Sequence, residues 1–333
     1  MHRRQFIAAL AASVFAPVRA VAAEPTVIRV NLPGPGALPF MPLELISALG
    51  FDKAVGARLD LRYHISGVLA FEDMIAGNAD FSSHGFAILP ALARKGKRGA
   101  AIVSMAGQAA AVAMLVRHDL AKEIRQISDL KGRVVATTSG SGTAKTYMQM
   151  TGEVLLARHG VEASQVRWVQ AGQTLEGIGS VLQSRAVDAV WCEEPFASQA
   201  VKQGIARFLM HEAASMKVVN EIGHMRSVVS MAVEPRDAAY EQRAALMVRM
   251  TQNALRWMRR HNAAQIVQAL PDAETRDEVL DVLRRYPNLF SPDGRFSNRT
   301  VTQAGTLLAQ LDKQVTPAEL RTYIEPRWAG LDA

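Results

Sequence analysis

The chain has 333 residues, of which 49% are hydrophobic and 21% are charged. This composition supports a large buried core and excludes an extensively disordered chain, and the length is typical of two domains. The formal net charge of +7 is a positive excess that attracts anionic solutes. The only cysteine, Cys192, excludes a disulfide framework and a thiolate metal site. We therefore expect no bound metal and no cofactor.

The first 23 residues have the pattern of an export signal. Arg3 and Arg4 precede an apolar run from Phe6 to Ala16, and the segment ends in the small residues 20–23. These parts correspond to the basic region, apolar region and cleavage site of a secretory signal peptide. The apolar run is too short to cross a bilayer, which takes roughly 20 apolar residues. We predict that residues 1–23 are a cleaved signal peptide and that the mature protein is periplasmic and untethered.

Two details of the leader and its removal bear on export and charge. The run R-R-Q-F-I resembles the twin-arginine export motif, although His2 stands where that motif usually has Ser or Thr, so both export routes stay open. Cleavage removes three arginines and no acidic residue, which lowers the net charge from +7 to +4.

The one dense basic run, at residues 94–98, is typical of a solvated helix end. We expect no nucleic-acid partner.

Short β-like runs alternate with amphipathic helical segments from Thr26 to about Val233, a pattern that predicts an α/β fold with mainly parallel strands. A second block of the same kind begins near Val112. Beyond Pro235 the pattern is wholly helical, and Ser297 and Thr316 are expected to cap later helices. Predicted strands lie at residues 27–32, 59–63, near 81, 100–105, 112–116, 134–137, 166–169, 187–192 and 228–233.

A small-residue segment, S-G-S-G-T at Ser139 to Thr143, lies between a predicted strand and a predicted helix. Its backbone N–H groups and the helix N-terminus suit an anion. An N-cap loop that satisfies only the first helical turn explains the same residues equally well. The segment is not a nucleotide-binding P-loop, because Ser139 and Ala144 stand where that motif needs glycine.

Other candidate positions follow strands. His84, in S-S-H-G, comes directly after a strand, where ligands bind in α/β folds, although nothing identifies a carboxylate partner for it. Cys192 has Trp191 on one side and an acidic residue on the other, which disfavours the thiolate. In W-C-E-E-P, Trp191 and Glu194 are expected at the lip of the sheet, with Trp191 functional and Glu194 undecided between ligand contact and helix-dipole compensation. No nucleophile elbow or zinc-protease helix is present.

Together these segments resemble the periplasmic binding proteins for nitrate, sulfonates and taurine, and their thiamine-precursor-binding relatives. The resemblance covers most of the mature chain and depends on the order and spacing of weak motifs. The similar segments are I-R-V at 28–30, A-G-N-A-D-F at 76–81, D-L-K-G-R-V-V-A at 129–136, S-G-S-G-T-A at 139–144 and V-D-A-V-W-C-E-E-P-F at 187–196.

The resemblance implies two α/β lobes joined by two hinge strands, near 112–117 and 228–233, with a helical C-terminal segment packed on the first lobe. The expected boundaries are 24–115 and 231–333 for the first lobe and 116–230 for the second. A solute would bind in the cleft between the lobes. The implied ligand-binding residues are Gly36, Phe40, Ser66, Gly67, Ser83, His84, Gly85, Ser139, Gly140, Ser141, Gly142, Thr143, Trp191 and Glu194.

The sequence thus predicts a monomeric, non-enzymatic solute-binding component of an ABC-type importer, with permease and ATPase subunits as partners. The expected solute is a small organic anion of the sulfonate, nitrate or taurine type. One alternative is an enzyme on the same scaffold, resembling thiamine-pyrimidine synthases or menaquinone-pathway lyases. The leader and the lack of a recognisable acid, base and nucleophile set argue against it. A periplasmic sensor subunit is the other alternative, which sequence does not separate from transport.

Overall fold

The computed structural model describes residues 24–138, 144–211, 223–234, 236–271 and 276–331. Five strands form the sheet of the first lobe, in the order β2-β1-β3-β10-β4. β1 is parallel to β2 and β3, whereas β10 runs antiparallel to β3 and β4. These strands are β1 (Thr26–Pro33), β2 (Ala57–His64), β3 (Phe81–His84), β4 (Gly99–Ser104) and β10 (Val228–Ala232).

Three helices connect the strands of the first lobe, namely α1 (Met41–Ala48), α2 (Gly67–Ile75) and α3 (Leu89–Ala93). α2 begins after Ser66, whose hydroxyl accepts a hydrogen bond from the Leu69 N–H at 3.3 Å. Its side chains Val68, Ala70 and Phe71 are fully buried. The helix therefore holds the carboxyl ends of β1 and β3 at one edge of the lobe.

The second lobe contains the other five-stranded sheet, in the order β7-β6-β8-β5-β9. β6 is parallel to β7 and β8, and β5 runs antiparallel to β8 and β9. Its strands are β5 (Val112–Arg117), β6 (Val134–Thr138), β7 (Arg167–Ala171), β8 (Ala189–Glu193) and β9 (Ala206–Met210). Its helices are α4 (Tyr147–Arg158), α5 (Leu175–Gln183) and α6 (Phe196–Lys202).

The chain passes between the two sheets twice, at residues 105–111 and between β9 and β10. The segments expected to be hinges, 112–117 and 228–233, coincide with β5 and β10, which are hydrogen-bonded strands inside the sheets. Each of these apolar runs is a strand that pairs with a neighbouring strand on both sides. The chain therefore crosses between the lobes just before each run. The expected lobe boundaries at 115/116 and 230/231 consequently fall within strands.

The C-terminal part is helical in its described ranges, and its long helix α7 packs on the first sheet. The Tyr240 ring stacks on Phe81 with ring centroids 5.6 Å apart, and its hydroxyl donates to the Asp80 carbonyl oxygen at 2.8 Å. Ser297 and Thr316 cap helices as predicted, accepting from backbone N–H groups at 3.1 and 3.0 Å. The helices are α7 (Ala238–Arg260), α8 (Ala263–Gln268), α9 (Arg276–Arg285), α10 (Asn298–Leu308), α11 (Pro317–Thr322) and α12 (Pro326–Ala329).

The predicted fold class, two α/β lobes with a helical C-terminal segment, is confirmed. Across the described ranges, no helix combines the length and the apolar character that crossing a bilayer requires. The carboxyl ends of the parallel strands in both lobes face the space between them, which is where ligands bind in open α/β sheets.

Candidate functional site

A small cavity of about 30 Å³ lies between the two lobes. The first lobe contributes the loops that follow β1 and β3, the second lobe contributes the start of α4 and the end of β8, and the second crossover contributes an arginine. The lining residues are Pro33, Phe40, Gly67, Val68, Gly85, Ile88, Thr146, Tyr147, Met148, Gln173, Glu193 and Arg226. An open groove of about 610 Å³ beside the first crossover is larger, but no buried charged side chain lines it.

The lobes meet at glycines, and this contact makes the cavity small. A Cβ atom added to Gly85 of the first lobe would lie 2.5 Å from the Cβ of Tyr147 in the second lobe. A Cβ atom added to Gly34 would lie 2.5 Å from the carbonyl oxygen of Gln173. Real side chains do not approach so closely, so only glycine permits this arrangement. The structure is therefore that of a two-lobed protein with its cleft closed.

A buried ion pair dominates the electrostatics of the cleft. Arg226 and Glu193 are 2% and 4% exposed, and the Arg226 Nε donates to Glu193 Oε1 at 3.0 Å. The Gln173 side-chain amide donates to the other oxygen of the same carboxylate. Both oxygens of Glu193 are thus engaged, which compensates for the loss of water around the carboxylate.

The guanidinium of Arg226 is not fully satisfied by these contacts. Its Nη2 is buried and has no hydrogen-bond partner among the described residues. A buried donor without an acceptor is costly, and for a charged group the cost is larger. Because Arg226 lines the cavity, the unsatisfied donor lies where an anionic or carbonyl-bearing ligand would supply the acceptor.

Tyr147 adds a neutral phenol at the first position of α4. Burial raises the pKa of its hydroxyl, with Arg226 opposing and Glu193 adding to the rise. The phenol therefore stays protonated in the cleft and is able to donate a hydrogen bond. Its helix starts at Thr146, whose hydroxyl accepts from the Gln149 N–H at 3.1 Å.

Several residues predicted to bind ligand lie in or beside this cavity. Phe40, Gly67 and Gly85 line it. Ser66 is buried and caps α2, as described above. Gly36 has a φ of 71° and donates its N–H to Glu44 Oε1 at 3.3 Å, which stabilises the turn after β1.

Ser83 and His84 end β3, and both side chains are fully buried. The Ser83 hydroxyl donates to the Val228 carbonyl oxygen at 2.9 Å, which ties β3 to β10. His84 donates from Nδ1 to the Gly85 carbonyl oxygen at 3.0 Å, and its ring meets Phe71 edge to face. Burial lowers the pKa of His84 to about 4, partly opposed by that hydrogen bond. The imidazole is therefore neutral at physiological pH, and it does not line the cavity.

Trp191 lies in the core of the second lobe and not at the lip of its sheet. Its side chain is fully buried, and Nε1 donates to Thr151 Oγ1 at 3.0 Å. A Cβ added to Gly152 would lie 3.0 Å from the indole, so α4 packs directly on it. The indole face of Trp191 is thus covered by a helix.

Glu194 also faces away from the cavity. It is 1% exposed and accepts from the backbone N–H and the hydroxyl of Ser198, both at 2.9 Å. Arg285 Nη2 lies 3.6 Å from its Oε1. The preceding residue, Glu193, is the carboxylate that reaches the cleft.

The predicted site residues did not include Tyr147, Gln173, Glu193 and Arg226, which carry the polar groups described above. A signal existed only for Glu193, which shares one face of β8 with Trp191 because side chains alternate along a strand. Arg226 lies in an irregular crossover, where no periodicity indicates direction. Residues Ser139, Gly140, Ser141, Gly142 and Thr143 lie outside the described residues, so the anion-binding loop stays a prediction.

Cys192 lies in a setting that disfavours the thiolate. Burial raises the pKa of the Cys192 thiol, and Glu194 and Glu193 add to the rise. A thiol held in this way is a poor nucleophile. Within the described ranges, no group of three or more His, Cys, Asp or Glu side chains is arranged to hold a metal ion.

Comparisons with known proteins identify the family and the fold. The sequence model of the NMT1-like family matches residues 38–270, and no curated protein matches the chain significantly. The resemblance to nitrate- and sulfonate-binding proteins is confirmed.

Three solved structures illustrate the shared fold. A protein from Bordetella bronchiseptica has a TM-score of 0.73 at 21% identity, covering 93% of this chain and 95% of its own. The ligand-binding component of an ABC-type import system from Staphylococcus aureus, with zinc bound, has a TM-score of 0.70 at 14% identity, covering 91% and 98%. The alkanesulfonate-binding protein SsuA from Xanthomonas axonopodis, bound to MOPS, has a TM-score of 0.67 at 17% identity, covering 92% and 97%.

Proposed function

Because the chain belongs to the NMT1-like family and folds like periplasmic binding proteins, we propose that it is the solute-binding component of an ABC-type importer. In this role it captures a small organic anion between its lobes and delivers it to permease and ATPase subunits. The export leader predicted at residues 1–23 supports a periplasmic location.

The observation that carries the proposal is the buried guanidinium of Arg226 in the closed cleft. Its Nη2 has no acceptor among the described residues, while Glu193 occupies Nε at 3.0 Å. A binding protein that closes over its solute replaces the solute's water with such preplaced polar groups. A planar guanidinium suits sulfonate, carboxylate or nitrate oxygens, which accept charge-assisted hydrogen bonds.

The cavity in this closed form holds about one or two waters by volume. A solute of several heavy atoms therefore enters only after the lobes separate. Domain closure about a few crossover residues is the usual movement of such proteins. The crossover at residues 105–111 provides such residues.

The carboxylate of Glu193 narrows the class of solute that the cleft favours. A second charge of opposite sign in the same cleft favours a solute that also carries an N–H donor, such as an amino-sulfonate. A purely anionic solute would bind Arg226 while Glu193 stays paired with the same guanidinium. Trp191, buried under α4, argues against a solute recognised by stacking on that residue.

A thermal-shift screen of sulfonates, amino-sulfonates, nitrate, carboxylates and pyrimidines tests the proposal. A ligand at a hundred times its Kd stabilises the folded state by about 2.7 kcal/mol, which raises the Tm. The double variant Arg226→Gln with Glu193→Gln removes both charges together, so neither is left buried and unpaired, and should abolish the shift. Arg256→Gln, an exposed change on α7, is the control.

The results separate the two parts of the proposal. A shift with an anion that Arg256→Gln retains and the double variant loses supports both binding and the site. A shift that the folded double variant keeps would remove Arg226 from the site. The absence of a shift with every anion, together with a shift for a pyrimidine, would overturn the anionic solute class.

A further inference from the structure

Helix α9 contacts both lobes at once, outside the solute cleft. Its apolar side chains Val279, Val282 and Leu283 are buried in a cluster that includes Leu38 and Met41 of the first lobe. This packing fixes α9 to the first lobe, because separating it would expose that buried apolar surface to water.

A charged stripe on α9 lies beside the apolar one and reaches the second lobe. Glu278 and Arg285 are seven residues apart, two helical turns, and so lie on the same face. Lys202 Nζ, at the end of α6, donates to Glu278 Oε1 at 2.6 Å. Arg285 Nη2 lies 3.6 Å from Oε1 of Glu194, which directly follows β8, and 2.8 Å from Asp281 Oδ2 on its own helix. Both ion pairs therefore join the first lobe, through α9, to the second.

The two pairs differ in their surroundings. The Lys202 side chain is 68% exposed and Glu278 is 11% exposed, so water and salt screen this pair on one side. Glu194 is 1% exposed, and a buried carboxylate that loses its cation is penalised strongly. The Ser198 N–H and hydroxyl remain bonded to Glu194 when the lobes part, but Arg285 moves away with α9.

A further contact lies at the end of the same helix. The Tyr286 hydroxyl donates to the carbonyl oxygen of His211 at 3.1 Å, where the second crossover begins. The side chain of Tyr286 belongs to the same apolar cluster as α9. The helix is thus attached to the first lobe, to the moving second lobe and to the connection between them.

From this arrangement we infer that α9 is a latch that holds the lobes closed from outside the cleft. The pairs Lys202–Glu278 and Arg285–Glu194 form only when the lobes meet, so they set the ratio of closed to open protein before any solute binds. The latch contributes equally to the affinity for every solute, whereas the cleft decides which solute binds. The inference does not depend on the chemistry of the solute.

The test reads lobe closure directly and uses no solute. Spin labels are attached to Ile65→Cys, an exposed position at the rim of the first lobe, and Ser180→Cys, exposed on α5. Cys192→Ala removes the native thiol. Pulsed electron resonance then measures the label separation in the otherwise unchanged mature protein and in variants of the latch.

We expect the parent protein to show a short-distance population. In the double variant Lys202→Ala with Arg285→Ala, the ratio of the short-distance to the long-distance population should fall roughly threefold to tenfold. The charge-exchanged variant Lys202→Glu with Glu278→Lys, in which Arg285 is unchanged, should show most of the parent's short-distance population. A general loss of folding would not give this result. Arg284→Ala, an exposed change on the same helix, should leave the distribution unchanged. Salt at 1 M should lower the short-distance population in the parent.

Two results would overturn the latch. One is a parent protein without a short-distance population, since the pairs would then not hold the lobes closed. The other is an alanine double variant, with a Tm near that of the parent, whose distribution matches the parent's. Failure of the solute screen described above leaves this measurement intact, because the labels report lobe separation alone.

Discussion

Gly85 of the first lobe and Tyr147 of the second lie so close that a methyl group on Gly85 would approach the Tyr147 Cβ to 2.5 Å. The Tyr147 Cβ belongs to the first turn of α4 and cannot rotate away from the contact. The lack of a side chain at Gly85 therefore determines how closely the two lobes approach. The neighbouring His84 holds the Gly85 carbonyl oxygen by a hydrogen bond.

Gly85→Ala should hinder closure without disturbing either lobe. Overpacking a contact of this kind costs about 1–3 kcal/mol, which corresponds to roughly a 10-fold or greater loss of affinity for the solute found in the screen. Calorimetry measures the affinity, and small-angle scattering with solute should show a larger radius of gyration than for the parent. Gly179→Ala is the control, since its Cβ would make an ordinary contact at 3.5 Å with Ile205. Parental affinity in Gly85→Ala would contradict the closed geometry.

The two consecutive carboxylates near Pro195 should behave differently. Glu193→Gln removes the negative charge from the cleft, so a purely anionic solute should bind equally or more tightly, whereas a solute with a cationic amine should lose about 10-fold or more. Glu194→Gln lies outside the cleft and should change affinity less than fivefold, through α9 alone. Isothermal calorimetry with both solute types separates these outcomes. With the amine-bearing solute, a larger loss of affinity in Glu194→Gln than in Glu193→Gln would reverse the assignment.

Trp191→Phe tests whether the indole is core or ligand contact. The substitution removes the donor to Thr151 Oγ1 and should lower the free energy of unfolding by about 1–2 kcal/mol, measured by urea denaturation. Solute affinity in the folded variant should stay within twofold of the parent. Thr151→Val removes the hydroxyl that accepts this hydrogen bond, so it completes a double-mutant cycle with Trp191→Phe. The losses in unfolding free energy of the two single variants should not add in the double variant. A selective loss of affinity would instead show that Trp191 meets the solute.

His84 should make the protein less stable in mild acid. The pKa of His84 is about 4 in the folded state and near 6.5 when unfolded, so only the unfolded state binds the proton between these values. The stability contribution is complete above pH 6.5 and is lost as the pH falls towards 4, by roughly 3 kcal/mol in total.

His84→Asn retains a donor for the Gly85 carbonyl oxygen and does not titrate. The free energy of unfolding of this variant should therefore fall less than that of the parent between pH 7 and pH 4.5, by roughly 2 kcal/mol. Urea denaturation at the two pH values measures the difference, and the carboxylates common to both proteins cancel in it. Identical pH dependence in the two proteins would show that the His84 imidazole titrates normally in the fold.

Local features of the chain were predictable from sequence alone. Apolar runs and alternating apolar residues predicted nine of the ten described strands, all but β9, and the predicted helix caps at Ser297 and Thr316 are present in the structure. Such features depend on hydrogen bonds and periodicities within a few residues, so a short window of sequence contains all the necessary information. The order of the predicted strands, helices and short motifs along the chain was enough to indicate two lobes and a resemblance to solute-binding proteins.

Only the tertiary structure decided which side chains meet in the cleft. Glu193 and Arg226 are 33 residues apart, and Lys202 and Glu278 are 76 apart, so no local pattern relates them. The direction of Arg226 is set by a crossover without regular periodicity, and α4 covers Trp191 only because Gly152 lets the helix approach. Burial then determines the chemistry. It removes from water the Arg226 Nη2, which has no acceptor among the residues that the structure describes, and it leaves the Glu194 carboxylate beside a cation from another part of the chain.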